Sequence, residues 1–446
     1  MRIIIIGAGP GGYETAVEAA KRGLEVTLVT DGPLGGTCLN EGCIPTKTFC
    51  HYAGLIEEMK KAEALGITAA PAFDFSKVLE RKQAVVQQLQ DGIGMLMRSK
   101  LITVVEGHAS LKDARTVIVN GEEYVGDKII IAVGSVSASL PIPGADLPGV
   151  IASREILDLP EVPKRLSVIG GGVIGLEFAS IFKSFGSEVT VLEYAPTILP
   201  RFDVDLAKRL KLALGKRGIA IETAAQVTGI YKVDGGLSVT YLTKNGEAAV
   251  EADKVLMAVG RRANLDALNL SDIGIEFTRR GITVDANMQT NVPGVYAVGD
   301  VLGQMMLAHA ATFQGLRALN HICGEADSID FAVIPAAVFT MPEAATVGMT
   351  EEEAKEKGLA IKCLKSMFRA NGKAVSMDDT EGFCKLIVAE EDGRLLGCHL
   401  FGPHSADIVQ EIAALLSKRA TLAELQSVIH AHPTLGEVIQ SAAHSA

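Results

Sequence analysis

The chain has 446 residues, 48% of them apolar and 21% charged, with a net charge of −11 from 42 basic and 53 acidic side chains. That is length for roughly three domains, and an acidic balance without a basic cluster argues against nucleic-acid binding. No stretch reaches the roughly 18 uninterrupted apolar residues of a membrane span. The opening apolar run is too short for a signal segment, and seven cysteines are too sparse for a secreted disulfide framework, so the cytoplasm is the default location.

The first element is the strand "RIIII" (2–6), followed by G-x-G-x-x-G at Gly7, Gly9 and Gly12, a helical pattern, a turn at Gly23 and a second strand, "EVTLV". In that context the first glycine permits a tight turn and the second lets the backbone approach a pyrophosphate. The third lets helix and strand pack closely, with the pyrophosphate on the helix N-terminus. Thr30 and Asp31 end the second strand, and the sequence leaves open which of them reaches a nucleotide ribose.

Next comes "LGGTCLNEGCIPTK" (34–47), with Cys38 and Cys43 five positions apart. A structural staple, half a metal site and a redox pair are the three readings. Zinc needs a second ligand pair at short spacing, and only His51 stands nearby, which argues against a metal. In a reducing compartment a pair that forms is more often catalytic or redox-sensing than structural. Gly42 relieves the backbone so that the two side chains can approach disulfide geometry. After Pro45 the spacing predicts a helix over 46–65.

The segment "RLSVIGGGVIGLEFASIFKSFGSEVTVLE" from Arg165 aligns without gaps on the segment from Arg2, at an offset of 163 residues. Gly170, Gly172 and Gly175 repeat the fingerprint, and two copies in register are a far stronger signal than one. The second copy ends its strand on Glu193, where a carboxylate can accept both ribose hydroxyls of an adenosine and repel a 2′-phosphate, favouring NAD(H) over NADP(H). Three further strands close on a glycine: 129–135 at Gly134, 255–261 at Gly260 and 295–300 just before Asp300. They are expected to return to the nucleotide-binding sheets, with Asp300 placed to hold a cofactor hydroxyl.

Past residue 328 the fingerprints stop. Strand-like runs ("PAAVFT", "GFCKLIVAE", "LLGCHLFG") alternate with helical ones ("EEEAKEKG", "ADIVQEIAALLSKRA", "LAELQSVIHA"), predicting an α+β domain. In the tail "HAHPTLGEVIQ", Thr434-x-x-Glu437 fits a capping box in which His432 is incidental. The same residues also fit an imidazole oriented by a carboxylate for acid–base work.

On these motifs the whole chain resembles the pyridine nucleotide–disulfide oxidoreductases, and within them the dihydrolipoamide dehydrogenase branch. The resemblance implies an α/β fold of two Rossmann-like domains, for FAD and NAD, followed by an α+β dimerisation domain. Its boundaries are 1–145 for the first part of the FAD-binding domain, 146–262 for the NAD-binding domain, 263–328 for the FAD-binding return segment and 329–446 for the interface domain. It makes Cys38 and Cys43 a redox-active disulfide and Lys47 the lysine beside the flavin. Gly36, Thr37, Ala109, Gly134, Ser135 and Ala308 become further FAD contacts, and Glu177, Gly260 and Arg261 belong to the NAD side. His432, oriented by Glu437, becomes the acid–base group that reaches the disulfide of the partner in a homodimer, with His430 near the substrate channel. The implied reaction is oxidation of dihydrolipoamide with reduction of NAD⁺. No lipoyl-bearing segment stands ahead of the first fingerprint, so the lipoyl group is expected on another protein, of a 2-oxo acid dehydrogenase complex or the glycine cleavage system.

Rival readings carry marks this sequence lacks. Glutathione-type reductases prefer NADP(H), which Glu193 opposes, and mercuric reductases add a C-terminal cysteine pair where this tail reads "SAAHSA". Soluble transhydrogenases lack the full pair, and NADH peroxidases and oxidases work through one cysteine. A reductase of another small disulfide, or a redox-sensing flavoprotein, stays open as the alternative. Thr30, Val133 and Ala263 depart from the family pattern, and they bear on cofactor contacts rather than on the cysteines.

Overall fold

In the computed structural model, which describes residues 1–68, 72–266 and 268–445, the two fingerprint segments build two sheets of one design. The first pairs Arg2–Ile6, Glu25–Thr30, Ile102–Glu106, Lys128–Ile131 and Val295–Ala297 in parallel, with Arg2–Ile6 in the centre. Ile3, Ile4 and Ile5 are fully buried. A central parallel strand is covered on both faces, so its sequence is an unbroken apolar run rather than an alternation. The second sheet sets Arg165–Ile169 between Glu188–Glu193 and Lys254–Met257, with Ile219–Thr223 and Val150–Ile151 at the edges.

The repeat holds down to single hydrogen bonds. Gly7 N donates to Val29 O and Gly170 N to Leu192 O, both at 2.8 Å. Ala132 N donates to Ile6 O and Ala258 N to Ile169 O, again at 2.8 Å. The glycine-ended strands occupy the expected places, two in the first sheet and one in the second. Each unit also carries a three-stranded antiparallel meander, 109–125 between Ile102–Glu106 and Lys128–Ile131 in the first and 226–252 between Ile219–Thr223 and Lys254–Met257 in the second. An antiparallel ribbon of Ser135–Ser137 against Arg261–Ala263 joins the two units where the chain leaves and returns.

The C-terminal part is an antiparallel sheet in the order Ala336–Val338, Ala344–Gly348, Leu395–Phe401, Phe383–Ala389, Ile361–Met367, with helices Ser405–Ser417 and Glu437–Ala443 packed on it. The helix expected over 422–431 stops at Gln426. Ser427 Oγ donates to Glu424 O at 2.7 Å, giving the backbone a local alternative, and the β-branched Val428 and Ile429 follow. The helix expected over 46–65 begins earlier, at Cys43, and gives way to a 3₁₀ turn at Ala62–Leu65. Pro45 sits inside its first turn, where its missing N–H costs nothing.

One packing contact positions the chemistry. Helix Cys43–Lys61 lies against helix Val173–Ser184 of the second unit. Between them Phe49, Phe178 and Phe182 are essentially buried, each stabilising the contact by about 1.5–3 kcal/mol. This cluster sets Lys47, two residues before Phe49, against Glu177, one residue before Phe178.

Candidate active site

The C-terminal ends of both parallel sheets open onto a continuous cavity of about 2860 Å³. That is where open α/β sheets receive ligands. The glycines divide into two kinds. A Cβ on Gly12 would lie 1.8 Å from Gly7 O and one on Gly175 2.0 Å from Gly170 O, so these two are held by packing and do not line the cavity. Gly9 and Gly172 have open space where a Cβ would stand and do line it. Each precedes a 12-residue helix without a side-chain cap, so backbone N–H groups face the cavity. Both turns therefore suit the pyrophosphate of a dinucleotide.

Cys38 lies in the short helix Gly36–Glu41, and Cys43 is the first residue of the next helix. Gly42 kinks the chain between them, and a Cβ there would meet Thr37 O at 2.9 Å. The two sulfurs are free thiols on the cavity wall, and their surroundings differ sharply. The hydrogen bond from Cys38 and the Lys47 ammonium bring the Cys43 thiol down to about 7, against the opposing effect of burial. Cys38 is pushed well up by giving that hydrogen bond and by burial. Of the two, Cys43 is the sulfur whose surroundings favour the thiolate.

Lys47 Nζ lies 3.0 and 2.9 Å from the two oxygens of Glu177, which is 4% exposed. Burial alone would lower the Lys47 ammonium, but Glu177 outweighs it and raises the group. Phe339 completes this arrangement from the C-terminal domain. Its N–H donates to Glu177 Oε1 at 2.9 Å and its ring lies 4.5 Å from Lys47 Nζ. Nothing in the sequence marked Phe339, which is 162 positions from its partner.

The other expected residues fall as follows. Thr30, Asp31, Gly36, Thr37, Ala109, Gly134, Ala308 and Gly260 line the cavity. The Thr30 hydroxyl donates to Gly32 O at 2.8 Å, whereas the Asp31 carboxylate is exposed beside His108, at 3.4 Å. That leaves Asp31 the better placed of the two for a ribose. Glu193 ends its strand on the second glycine turn, with Oε2 accepting from Gly171 N at 2.5 Å and Oε1 from Ala195 N at 2.6 Å. Arg261, expected on the NAD side, directs its guanidinium to Ser135, at 2.7 Å, and Ser135 in turn donates to Asp300 at 2.5 Å. The reason is the ribbon between the units, which pairs the strands carrying Arg261 and Ser135.

His432 and Glu437 do not line this cavity. His432 Nδ1 is 2.9 Å from Glu437 Oε1, and Glu437 Oε2 accepts from Thr434 N at 2.7 Å. That backbone hydrogen bond, followed by His432, holds the Glu437 carboxyl below its ordinary range. The Thr434 hydroxyl turns to Ala431 O instead of closing the box, so half of the capping pattern is present. The His432 side chain is 78% exposed. The His430 side chain is largely buried against Glu411 at 3.0 Å. Among the described residues no cluster of three or more His, Cys, Asp or Glu could hold a metal ion, and no helix is long and apolar enough to cross a membrane.

Residues 1–315 match the family model for pyridine nucleotide-disulphide oxidoreductases, and residues 334–443 match that family's dimerisation domain. A dihydrolipoyl dehydrogenase of Geobacillus stearothermophilus is 41% identical over 99% of this chain and 95% of its own. One from Bacillus subtilis is 42% identical over 99% and 96%. Among solved structures, LpdA from Mycobacterium tuberculosis superposes with a TM-score of 0.93 at 29% identity, covering 100% of this chain and 99% of that one. The HOCl-induced flavoprotein disulfide reductase RclA from Escherichia coli gives 0.89 at 31% identity, with coverage of 100% and 99%.

Proposed function

The chain belongs to the pyridine nucleotide-disulphide oxidoreductases and is an NAD-dependent flavoenzyme working with FAD and NAD(H), and from that premise we propose that it oxidises protein-bound dihydrolipoamide to lipoamide. The observation that carries the reading is geometric: Cys38 and Cys43, on either side of the Gly42 kink, line the same cavity as the Lys47–Glu177 ion pair, in surroundings that favour the thiolate on Cys43.

In the oxidised enzyme Cys38 and Cys43 form a disulfide. A substrate thiolate attacks Cys38 Sγ, the S–S bond breaks, and its electron pair leaves on Cys43, the sulfur whose surroundings best hold negative charge. The substrate's second thiol then displaces Cys38, closing the lipoyl ring and leaving Cys38 as a thiol. Two electrons have passed to the enzyme. The partner subunit's His432, held by the partner's Glu437, takes the proton of the attacking thiol through Nε2, and the proton of the second thiol ends on Cys38. Homodimerisation is therefore part of the site. Bound FAD would supply a two-electron acceptor next to Cys43 and a hydride donor for NAD⁺.

The cofactor residues follow the cavity. FAD takes the turn at Gly7 and Gly9, with Asp31, Gly36, Thr37, Lys47, Ala109, Gly134, Asp300 and Ala308 around it. Gly170, Gly172, Glu193 and Gly260 would hold NAD, with Glu177 on the same side of the cavity. Gly12 and Gly175 serve both sites through packing. The partner protein is a lipoyl carrier, and the location is the cytoplasm.

Anaerobic titration of the yellow protein with dihydrolipoamide, then NAD⁺, tests the reading. Dihydrolipoamide is expected to raise a long-wavelength thiolate-to-flavin band that NAD⁺ removes, and the Cys43→Ser variant is expected to show none. A band unchanged in that variant would refute the assignment of Cys43. The likeness to the disulfide reductase RclA supports a second reading, reduction of another small disulfide by NADH. It would take the lead if dihydrolipoamide left the spectrum untouched while NADH reduced the flavin.

A further inference from the structure

Arg261 ends the strand that closes the second nucleotide-binding unit, yet its guanidinium serves the first. Nε donates to Ser135 Oγ at 2.7 Å and Nη2 to Ser135 O at 2.8 Å. Ser135 Oγ donates in turn to Asp300 Oδ2 at 2.5 Å, and Arg261 Nε lies 4.0 Å from that same oxygen. The direction of this relay is forced. A guanidinium only donates, so the Ser135 oxygen must accept from it and spend its single hydrogen on the carboxylate. The group is shielded, with the Arg261 and Asp300 side chains 16% and 24% exposed and Ser135 buried.

The backbone reinforces the arrangement. Ser135 and Arg261 stand on the two strands of the crossing ribbon, with Ala263 opposite Ser135 and Arg261 opposite Ser137. Ala138 N donates to Gly260 O and Asn264 N to Gly134 O, both at 3.0 Å, fixing the ribbon at each end. Asp300 follows the edge strand of the first sheet and opens a short 3₁₀ turn.

We infer that Arg261 is a positioning residue for the flavin site: acting through Ser135, it fixes the Asp300 carboxylate before FAD arrives, leaving the second oxygen for a hydroxyl of the cofactor. The inference rests on the reading of Asp300 as a flavin contact given under Proposed function. A carboxylate already held by a charge-assisted hydrogen bond loses little rotational freedom when the ligand binds, so the ligand is retained longer. Because Arg261 is delivered by the strand returning from the NAD-binding unit, retention of FAD depends on how that second unit is docked.

The test compares the holoenzyme with its Arg261→Met and Ser135→Ala variants, measuring FAD release by the rise in flavin fluorescence on dilution and, separately, KM for NAD⁺. Both variants are expected to release FAD at least about tenfold faster, with KM for NAD⁺ within about twofold of the parent. The pH midpoint of the thiolate-to-flavin band should not move, since Cys43, Lys47 and Glu177 are untouched. A raised KM for NAD⁺ with unchanged FAD release would return Arg261 to the NAD site and overturn the inference, as would no change in either quantity. Should Arg261→Met fail to fold, Ser135→Ala, a loss of one oxygen, decides alone. A parent protein that is colourless and takes up no added FAD would instead overturn the reading beneath, while a yellow parent with unaltered variants overturns only this inference.

Discussion

Replacing Lys47 by methionine isolates the electrostatics of the redox pair. Methionine keeps the length and the apolar stem of the side chain and removes the ammonium. In the parent protein Cys43 sits at about 7 because the Cys38 hydrogen bond and Lys47 together overcome burial. An opposite charge at close range is worth about 1–3 pKa units. The Cys38 hydrogen bond survives the substitution, so the thiol should rise by only about 1–2 units. At pH 7 the thiolate fraction then falls from about one half to between about one tenth and one hundredth. The shift corresponds to about 1.4–2.7 kcal/mol. Glu177, 4% exposed, is left with Phe339 N–H as its remaining partner, so the double variant with Glu177→Gln should recover much of the stability without recovering the thiolate. The assay is the long-wavelength absorbance of the dithiol-reduced enzyme followed against pH. A midpoint that stays at the parent value, or falls, would show that Lys47 does not hold the thiolate.

Three further outcomes are expected. Lys385 is fully buried, with Asp203 at 2.7 Å, Asp205 at 3.2 Å and Glu351 at 2.6 Å. Lys385→Met strands the equally buried Asp203 and should cost about 3–5 kcal/mol, read as a loss in denaturant unfolding, and an unchanged midpoint would refute it. Asp205, mainly through Lys365, and Glu351, mainly through Lys355 and then Lys385, are both held at about 2 in the fold, below ordinary values of 3.8 and 4.5. Depressed carboxyls stabilise the fold above their unfolded values and lose that contribution as pH falls toward the folded ones. Stability should therefore drop between about pH 4.5 and 2, and Glu351→Gln should flatten the drop in a circular-dichroism acid titration, with Asp205 contributing less because it is 42% exposed. His432→Ala should lower dihydrolipoamide turnover by about 10²–10⁴-fold and Glu437→Gln by less, both leaving the pH midpoint of the thiolate-to-flavin band in place. A shifted midpoint would put the imidazole in its own chain's redox pair.

What the sequence disclosed was local or repeated. The fingerprints and the cysteine segment each lie within about thirty residues, and the gapless offset between Arg2 and Arg165 doubles the first signal. The two meanders, which the sequence reading did not anticipate, turn on "NG" at 120–121 and 245–246, a strong short hairpin signal, and Asn120 and Gly121 adopt the positive φ values, 53° and 86°, that such a turn requires. Contacts between distant segments were not legible. Phe339 on Glu177, Lys385 on Asp203 and Arg261 on Ser135 each join different units of the chain, and no periodicity or short motif encodes which surfaces of two domains will meet. Arg261 shows why: its position after Gly260 points to the second unit, while the ribbon that carries it brings the side chain to Ser135 of the first.

The tail presented two readings of Glu437 as competitors, a cap for the helix or an orienter for the imidazole. A carboxylate has two oxygens, and the structure uses one for each. Oε2 accepts the backbone N–H of Thr434, which pins the carboxylate at the start of the last helix, Glu437–Ala443. Oε1 is thereby held in place to receive His432 Nδ1. The bland role is thus the cause of the functional one: without the backbone hydrogen bond the carboxylate would turn, and the ring with it. Nδ1 facing a carboxylate makes Nε2 the basic nitrogen. The ring stands outside the cavity of its own chain, on the domain that matches the family's dimerisation module. On the function proposed above its basic nitrogen works on the neighbouring chain, so changes that loosen the Glu437–Ala443 helix should weaken turnover in the partner's cavity before they alter the redox pair of their own.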